Sequence, residues 1–259
     1  MAQYVEVEDA MKMSGLRVVL SPGVPGPWSE SAKGILHVKR LPYVKVRQNV
    51  GGTNEPLRRW TAQETAPAFV YNDERPRSLW NDQLYLVERL APTPPLIPAK
   101  VEERVRMFGL ANELCGENGF GWSRRLMLIH SRLSDPNAPE AARKGAEYLG
   151  RKYDYSAAAA AGAARRCADV IEIFARQLAL QRERGSRFLV GEELSAVDIY
   201  WACFAALLQP LPDELCPMPR GFRQMYTCND PTIMGALTPA LLEHRDFIYR
   251  EYLELPVDL

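Results

Sequence analysis

The sequence predicts two domains, a small α/β unit followed by a larger all-helical one. Three observations carry this. Residues 16 to 90 alternate short β-rich runs with stretches of helical composition, residues 91 to 98 hold four prolines in eight positions, and the remainder keeps apolar residues at helical spacing.

Residues 1–15 show no sustained period and read as a flexible or loosely docked extension. Leu16-Arg17-Val18-Val19-Leu20 is the first strand, closed by the turn chemistry of Ser21-Pro22-Gly23. Trp28 to Arg40 permits a helix and Leu41 to Val46 a second strand, which together make a βαβ unit. A short helix is expected over Glu55 to Ala62, and Ala66-Pro67-Ala68-Phe69-Val70-Tyr71 is a strand entered through a proline. Asn72-Asp73 supplies turn residues before Ser78-Leu79-Trp80, so an antiparallel hairpin is expected, closed by a helix from Asn81 to Leu90. The order β-α-β-α-β-β-α is that of a thioredoxin-like domain, here over residues 16–91.

The prolines at 92, 94, 95 and 98 favour an extended connector, so residues 92–99 form the linker and residues 100–259 the helical domain. Val101, Val105 and Phe108 share one helical face, as do Cys167, Ile171, Phe174 and Leu178, while Ala157 to Ala164 is an alanine-rich helix start. The start of another helix is specified twice over. Ser195 and Asp198 have the spacing of a capping box, and Leu194 and Ile199 that of a hydrophobic staple.

Thirty-two basic residues balance thirty-two acidic ones in a chain of 259, so no general attraction to nucleic acid or to anionic membranes is expected. Five cysteines with no Cys-x-x-Cys and no metal-ligand spacing read as free thiols of a reducing cytoplasm. No apolar run reaches the roughly 18–20 residues of a membrane span, and the acidic N-terminus lacks the form of a signal peptide. A cytoplasmic protein is expected, with a small molecule or a protein as partner.

The Phe-Leu-Val-Gly turn at 188–191, the Leu-Ser-x-x-Asp-Ile segment at 194–199, Leu41-Pro42-Tyr43 and Ala66-Pro67-Ala68-Phe69 together resemble the cytosolic glutathione S-transferase superfamily over residues 16 to about 210. The resemblance implies the glutathione transferase fold, a homodimer, glutathione as co-substrate and a small hydrophobic electrophile as second substrate. It also implies that Pro67 follows a cis bond, so that the backbone of Ala66 pairs with the cysteinyl part of glutathione. Asp82-Gln83 stands where the family has Glu-Ser, which places Asp82 near the ammonium and the helix N-terminus near the carboxylate of the γ-glutamyl end; Asp82 is equally readable as a residue favoured by the helix dipole. Thr65 and Gln63 are weaker candidates for the glycyl end.

The catalytic position departs from the family. The thiolate-stabilising serine falls on Gly26, which has no hydroxyl, and the cysteine of some bacterial classes falls on Trp28. Ser29, at the start of the first helix, is the side-chain candidate, with an ordinary N-cap as its alternative. Trp28, Phe108, Asn112, Cys115, Trp122 and Tyr226 are candidates for the second-substrate wall, Phe108 to Arg125 being read as one helix facing the thiol. His37, His130 and His244 read as surface or packing residues, and Arg124-Arg125 as a solvated helix face.

Two functions from different classes follow. One is an enzyme that activates the glutathione thiol; the other is a non-catalytic binding or assembly module of the same fold, favoured by the loss of serine at 26. A disulfide reductase is disfavoured, because no cysteine precedes residue 115.

Overall fold

The computed structural model describes residues 4–259. The first domain is a three-stranded sheet in the order β2-β1-β3, with β1 (Leu16–Leu20) parallel to β2 (Val44–Arg47) and antiparallel to β3 (Ala68–Tyr71). Helices α2 (Pro27–Val38), α3 (Glu55–Thr61) and α4 (Trp80–Leu90) cover it. Every residue of β1 is buried because it is the central strand, with neighbours on both edges and helices on both faces.

The expected second half of the hairpin is reduced to one bridge, Phe69 to Arg77, and Trp80 already begins α4 instead of ending a strand. Residues 75–79 lack the apolar/polar alternation of a longer strand, and Pro76 removes one N–H beside the bridge.

The N-terminal segment is docked, contrary to the loose extension expected from its sequence. Val5 bridges Val46 in parallel, and α1 (Val7–Ala10) buries Val7 and Ala10 among Val19, Val46, Leu57 and Ala68. Arg17 secures it by donating to the carbonyls of Ala10, Met13 and Asn72. Residues 1–3 of that expected extension lie outside the described residues.

The second domain contains α5 (Val101–Cys115), α6 (Phe120–Ser134), α7 (Glu140–Lys152), α8 (Ala157–Ala161), α9 (Ala163–Glu183), α10 (Ala196–Phe204), α11 (Arg220–Tyr226), α12 (Pro231–Ala236) and α13 (Pro239–Tyr252). The single helix expected through Phe108–Arg125 is broken at Gly116–Gly119, where Asn118 takes a positive φ of 59°. The alanine-rich start is likewise split, with Ser156 capping α8 through its hydroxyl and α9 restarting after Gly162.

The core helix α10 is buried along its whole length. Ser195 and Asp198 form the expected capping box, and the Asp198 carboxyl does more than cap. It accepts from Leu189 N (2.7 Å), Ser195 N (3.0 Å), Ser195 Oγ (2.8 Å) and His244 Nε2 (3.0 Å). Trp201 Nε1 donates to Leu241 O at 2.9 Å, so α13 is fastened to α10 at two points. His244 is therefore a buried packing residue.

The two domains share one continuous core, with α10 packed against α2. Gly34 makes that approach possible, since a Cβ there would stand 3.1 Å from Ile199 and 3.0 Å from Leu253. The proline-rich connector is extended but fastened. Leu96 and Ile97 are buried, Leu96 N donates to Glu88 Oε1 (2.9 Å), Leu96 O accepts from Ala196 N (2.9 Å), and Lys39 pairs with Glu88.

Candidate functional site

The N-terminus of α2 begins at N-cap Gly26 with Pro27 in the first helical position, the arrangement proline favours because it has no N–H to satisfy. Glu30 N makes the first intrahelical bond, to Gly26 O (2.9 Å). The amides of Trp28 and Ser29 thus remain as first-turn donors, and no side chain caps them. Ser29 itself is the third helical residue and buried, so the alternative reading of it as the N-cap does not hold.

The Ala66–Pro67 bond is cis. Strand pairing of β3 runs from Ala68 to Tyr71, so Ala66 lies beyond the ladder, and both Thr65 and Ala66 are half-buried. Gln48 ties this edge to the loop leading into α2. Its Oε1 accepts from Ser21 Oγ (2.6 Å) and its Nε2 donates to Glu64 O (3.2 Å). Gln48 was not singled out in the sequence, because neither partner lies near it in the chain.

Asp82 is the third residue of α4, partly exposed, and its Oδ2 accepts from Arg75 Nη1 at 3.1 Å. Gln83 has a different place. It is buried, and its Nε2 donates to Pro67 O (3.1 Å) and Arg77 O (3.2 Å), so its amide clamps the cis-proline segment and is already occupied. A small cavity behind these elements is lined by Trp28, Ser31, Pro67, Trp80, Gln83 and Tyr200, joining α2, the proline edge, α4 and α10.

The second-substrate candidates separate into two groups. Trp28, Trp122 and Tyr226 gather with Tyr153 and Phe204: Trp28 meets Phe204 edge-on at 4.9 Å, and Trp122 meets Tyr153 at 4.7 Å. Tyr226 joins through Arg125, whose Nη2 donates to its hydroxyl at 3.0 Å while the guanidinium carbon lies 6.0 Å from the Trp28 ring centre.

Phe108 is elsewhere, stacked on Tyr85 at 5.4 Å and tilted toward Trp80 at 6.2 Å, on the outer face of α4 and α5. Asn112 is exposed. Cys115 is buried, and it is its carbonyl that matters, accepting from Trp28 Nε1 at 3.0 Å. The arginines expected on a solvated face are also corrected, since Arg124 is buried and donates to Leu207 O, and Arg125 is half-buried.

All five cysteines are buried and unpaired. Burial raises the Cys115 thiol and pushes Cys167 up to about 12 and Cys216 up to about 11. None of these three is therefore available as a thiolate nucleophile near neutral pH. Among the described residues no group of three or more His, Cys, Asp or Glu side chains is placed to hold a metal ion, and no helix is long and apolar enough to cross a membrane.

No protein-family model matches the sequence, and no curated protein matches it. Its fold is that of solved glutathione S-transferases. A glutathione S-transferase domain-containing protein of Marinobacter aquaeolei superposes with a TM-score of 0.64 at 14% identity, over 91% of this chain and 98% of that one. A glutathione S-transferase of Methylobacterium radiotolerans, in complex with glutathione sulfonate, gives 0.59 at 17% identity over 92% of each chain. A rice glutathione S-transferase in complex with glutathione gives 0.59 at 15% identity, over 94% of this chain and 93% of that one. The glutathione transferase fold expected from the sequence is thus the fold of the chain.

Proposed function

We propose that this chain is a divergent member of the glutathione transferase superfamily, which binds glutathione along the Pro67 edge and activates its thiol toward an electrophile held in the cleft between the domains. The observation that carries the reading is the pair of uncapped amides, Trp28 and Ser29, on a helix whose entry loop is tied by Gln48 to the cis-proline edge. Solved proteins of the same fold with glutathione or its sulfonate bound support it.

In this reading the Ala66 backbone pairs with the cysteinyl part of glutathione, Thr65 meets the glycyl end, and Asp82 takes the γ-glutamyl ammonium, exchanging its exposed contact with Arg75 for a charge-assisted hydrogen bond. Gln83 acts through the segment it clamps. The α2 amides and the partial positive charge of the helix N-terminus stabilise the thiolate, doing what a serine hydroxyl at position 26 would do. Positioning of the electrophile against the sulfur supplies the rest.

Calorimetric titration is expected to show millimolar or tighter binding of glutathione, and Asp82→Ala to weaken it by about tenfold, the equivalent of one charge-assisted hydrogen bond. Unchanged affinity in Asp82→Ala would place the γ-glutamyl end elsewhere.

Two observations favour the module reading. Trp28 fills the space between α6 and α10, and Gly26 offers no hydroxyl. Glutathione binding with an unshifted thiol pKa would select it.

The outer face of α4 and α5 supports a homodimer. Leu79, Tyr85, Val101 and Val105 are exposed there beside Phe108, with Arg104 lying over the Tyr85 ring and donating to its hydroxyl. Exposed apolar side chains gathered on neighbouring helices are characteristic of an interface. Sedimentation equilibrium is expected to give a dimer, and Leu79→Glu/Val105→Glu a monomer; a dimer unaffected by both changes would move the interface off this face. The five reduced, buried cysteines fit residence in a reducing cytoplasm.

A further inference from the structure

One cationic cluster is not used by the glutathione-binding reading. Arg125 on α6 is half-buried and donates to Tyr226 on α11, and Tyr153 at the end of α7 faces the same guanidinium. Lys152, the last residue of α7, lies beside it, its ammonium 5.4 Å from the Tyr153 ring centre. Among the described residues neither cation forms a salt bridge, and the groups that shift them are tyrosines and each other. Two adjacent cations supported only by phenol hydroxyls and aromatic rings have unspent positive charge.

The guanidinium also has unspent donors. Among the described residues the five N–H groups of Arg125 have only the Tyr226 and Tyr153 hydroxyls as partners, which leaves donors for another acceptor. Lys152 is exposed along its stem, while its ammonium is drawn in over the Tyr153 ring. An incoming oxyanion therefore meets a planar fork and a point charge grouped about the Tyr153 ring, with Trp28, Trp122 and Tyr226 beside them.

We propose that Arg125 and Lys152 form an anion subsite that binds a carboxylate-sized oxyanion on the second substrate, so that the electrophile is an apolar molecule bearing one negative group. This rests on the glutathione transferase reading. A carboxylate can also come from glutathione itself, because Tyr148, one turn before Lys152, is pushed up by burial and then by the charge of Glu64, in the segment leading to Pro67. The placement of Arg125 against Trp28 and Tyr226, on the helical-domain wall, assigns the subsite to the second substrate.

Loss of solvent around the ammonium and the neighbouring Arg125 charge hold Lys152 down at about 8. The groups facing it are Arg125 from α6, its neighbour Tyr153, and Tyr226 from α11 through Arg125. An anion favours the protonated form, so anion affinity is expected to be fullest below pH 8 and to fall as pH rises through it.

The test is calorimetric titration of the full chain with 4-nitrobenzoate and with its uncharged counterpart 4-nitrobenzamide, each with and without saturating glutathione. Expected is at least about tenfold tighter binding of the benzoate, retained when glutathione is bound. Arg125→Met and Lys152→Met should each abolish the preference while leaving glutathione affinity unchanged. Lys152→Met keeps the test valid if Arg125→Met fails to fold, because Lys152 is exposed along its stem.

Equal affinity for the two probes, or a preference indifferent to both substitutions, would overturn the subsite. Loss of benzoate binding when glutathione is present, with glutathione weakened in both variants, would overturn its assignment to the second substrate and give it to glutathione. A wild-type chain that prefers the benzoate but binds no glutathione would uphold the anion site and refute the glutathione reading on which the substrate class depends.

Discussion

Replacement of Asp198 by alanine is expected to destabilise the protein by about 3–5 kcal/mol, the range for removing one member of a buried, hydrogen-bonded polar network. The carboxyl is fully buried and satisfies four donors from three parts of the chain: the turn at Leu189, the cap at Ser195 and His244 on α13. Its loss leaves the Leu189 amide and the His244 ring without their partner in a dry site. Ser195→Ala removes a single cap contact and is expected to cost about 0.5–2 kcal/mol. Equilibrium denaturation checks both, and a loss below about 1 kcal/mol for Asp198→Ala would contradict its role as the joint between α10 and α13.

Gly121→Ala is the second large effect, and it couples packing to the site. A Cβ at this position would stand 2.5 Å from Phe204 Cε1 and 2.9 and 3.0 Å from two ring carbons of Trp28. Both neighbours are rigid rings, and Trp28 is further held by its hydrogen bond to Cys115 O. Overpacking of this kind costs about 1–3 kcal/mol. The least constrained response is displacement of Trp28, which sits at the second position of α2, so glutathione affinity is expected to fall along with stability. Denaturation and calorimetry on the same variant measure the two; full stability and full affinity together would show that Gly121 is not a contact point for Trp28.

The sequence made the first domain legible wherever a signal was local. The apolar run of β1, the turn at Pro22-Gly23 and the α4 period depend on near neighbours, and all are present in the fold. The Ser195/Asp198 box was legible for the same reason, since its two halves are three residues apart. What the sequence hid were the other two partners of Asp198, the Leu189 amide and His244, the latter 46 residues away on another helix.

The docking of α1 was hidden by its brevity, for Val7 and Ala10 give too few turns to show a period. The break at Gly116–Gly119 was masked because apolar residues continue at helical spacing on both sides of it.

At the site, the start of α2 does carry a local signal. Pro27 favours the first helical position, which makes Gly26 the cap and moves Ser29 to the third position inside the helix. Gln83 looked like a binding residue because of its place in the chain, whereas burial and two carbonyl partners make it a clamp. Arg125 looked solvated because its partner Tyr226 is 101 residues distant. Side-chain roles set by long-range partners are decided by tertiary packing, and local pattern contains no record of them.

The central claim is that amides at the α2 N-terminus, and no side chain, stabilise the glutathione thiolate. Ultraviolet thiolate absorbance of the glutathione complex, titrated against pH for the native chain and for Ser29→Ala, tests it most directly. The account predicts a bound-thiol pKa lowered by about one to two units from the roughly 8.5 of a free cysteine thiol, each unit being about 1.36 kcal/mol of preference for the thiolate, with the same lowering in Ser29→Ala. A pKa left at its free value in a saturated complex, or a lowering that disappears with the Ser29 hydroxyl, would contradict it.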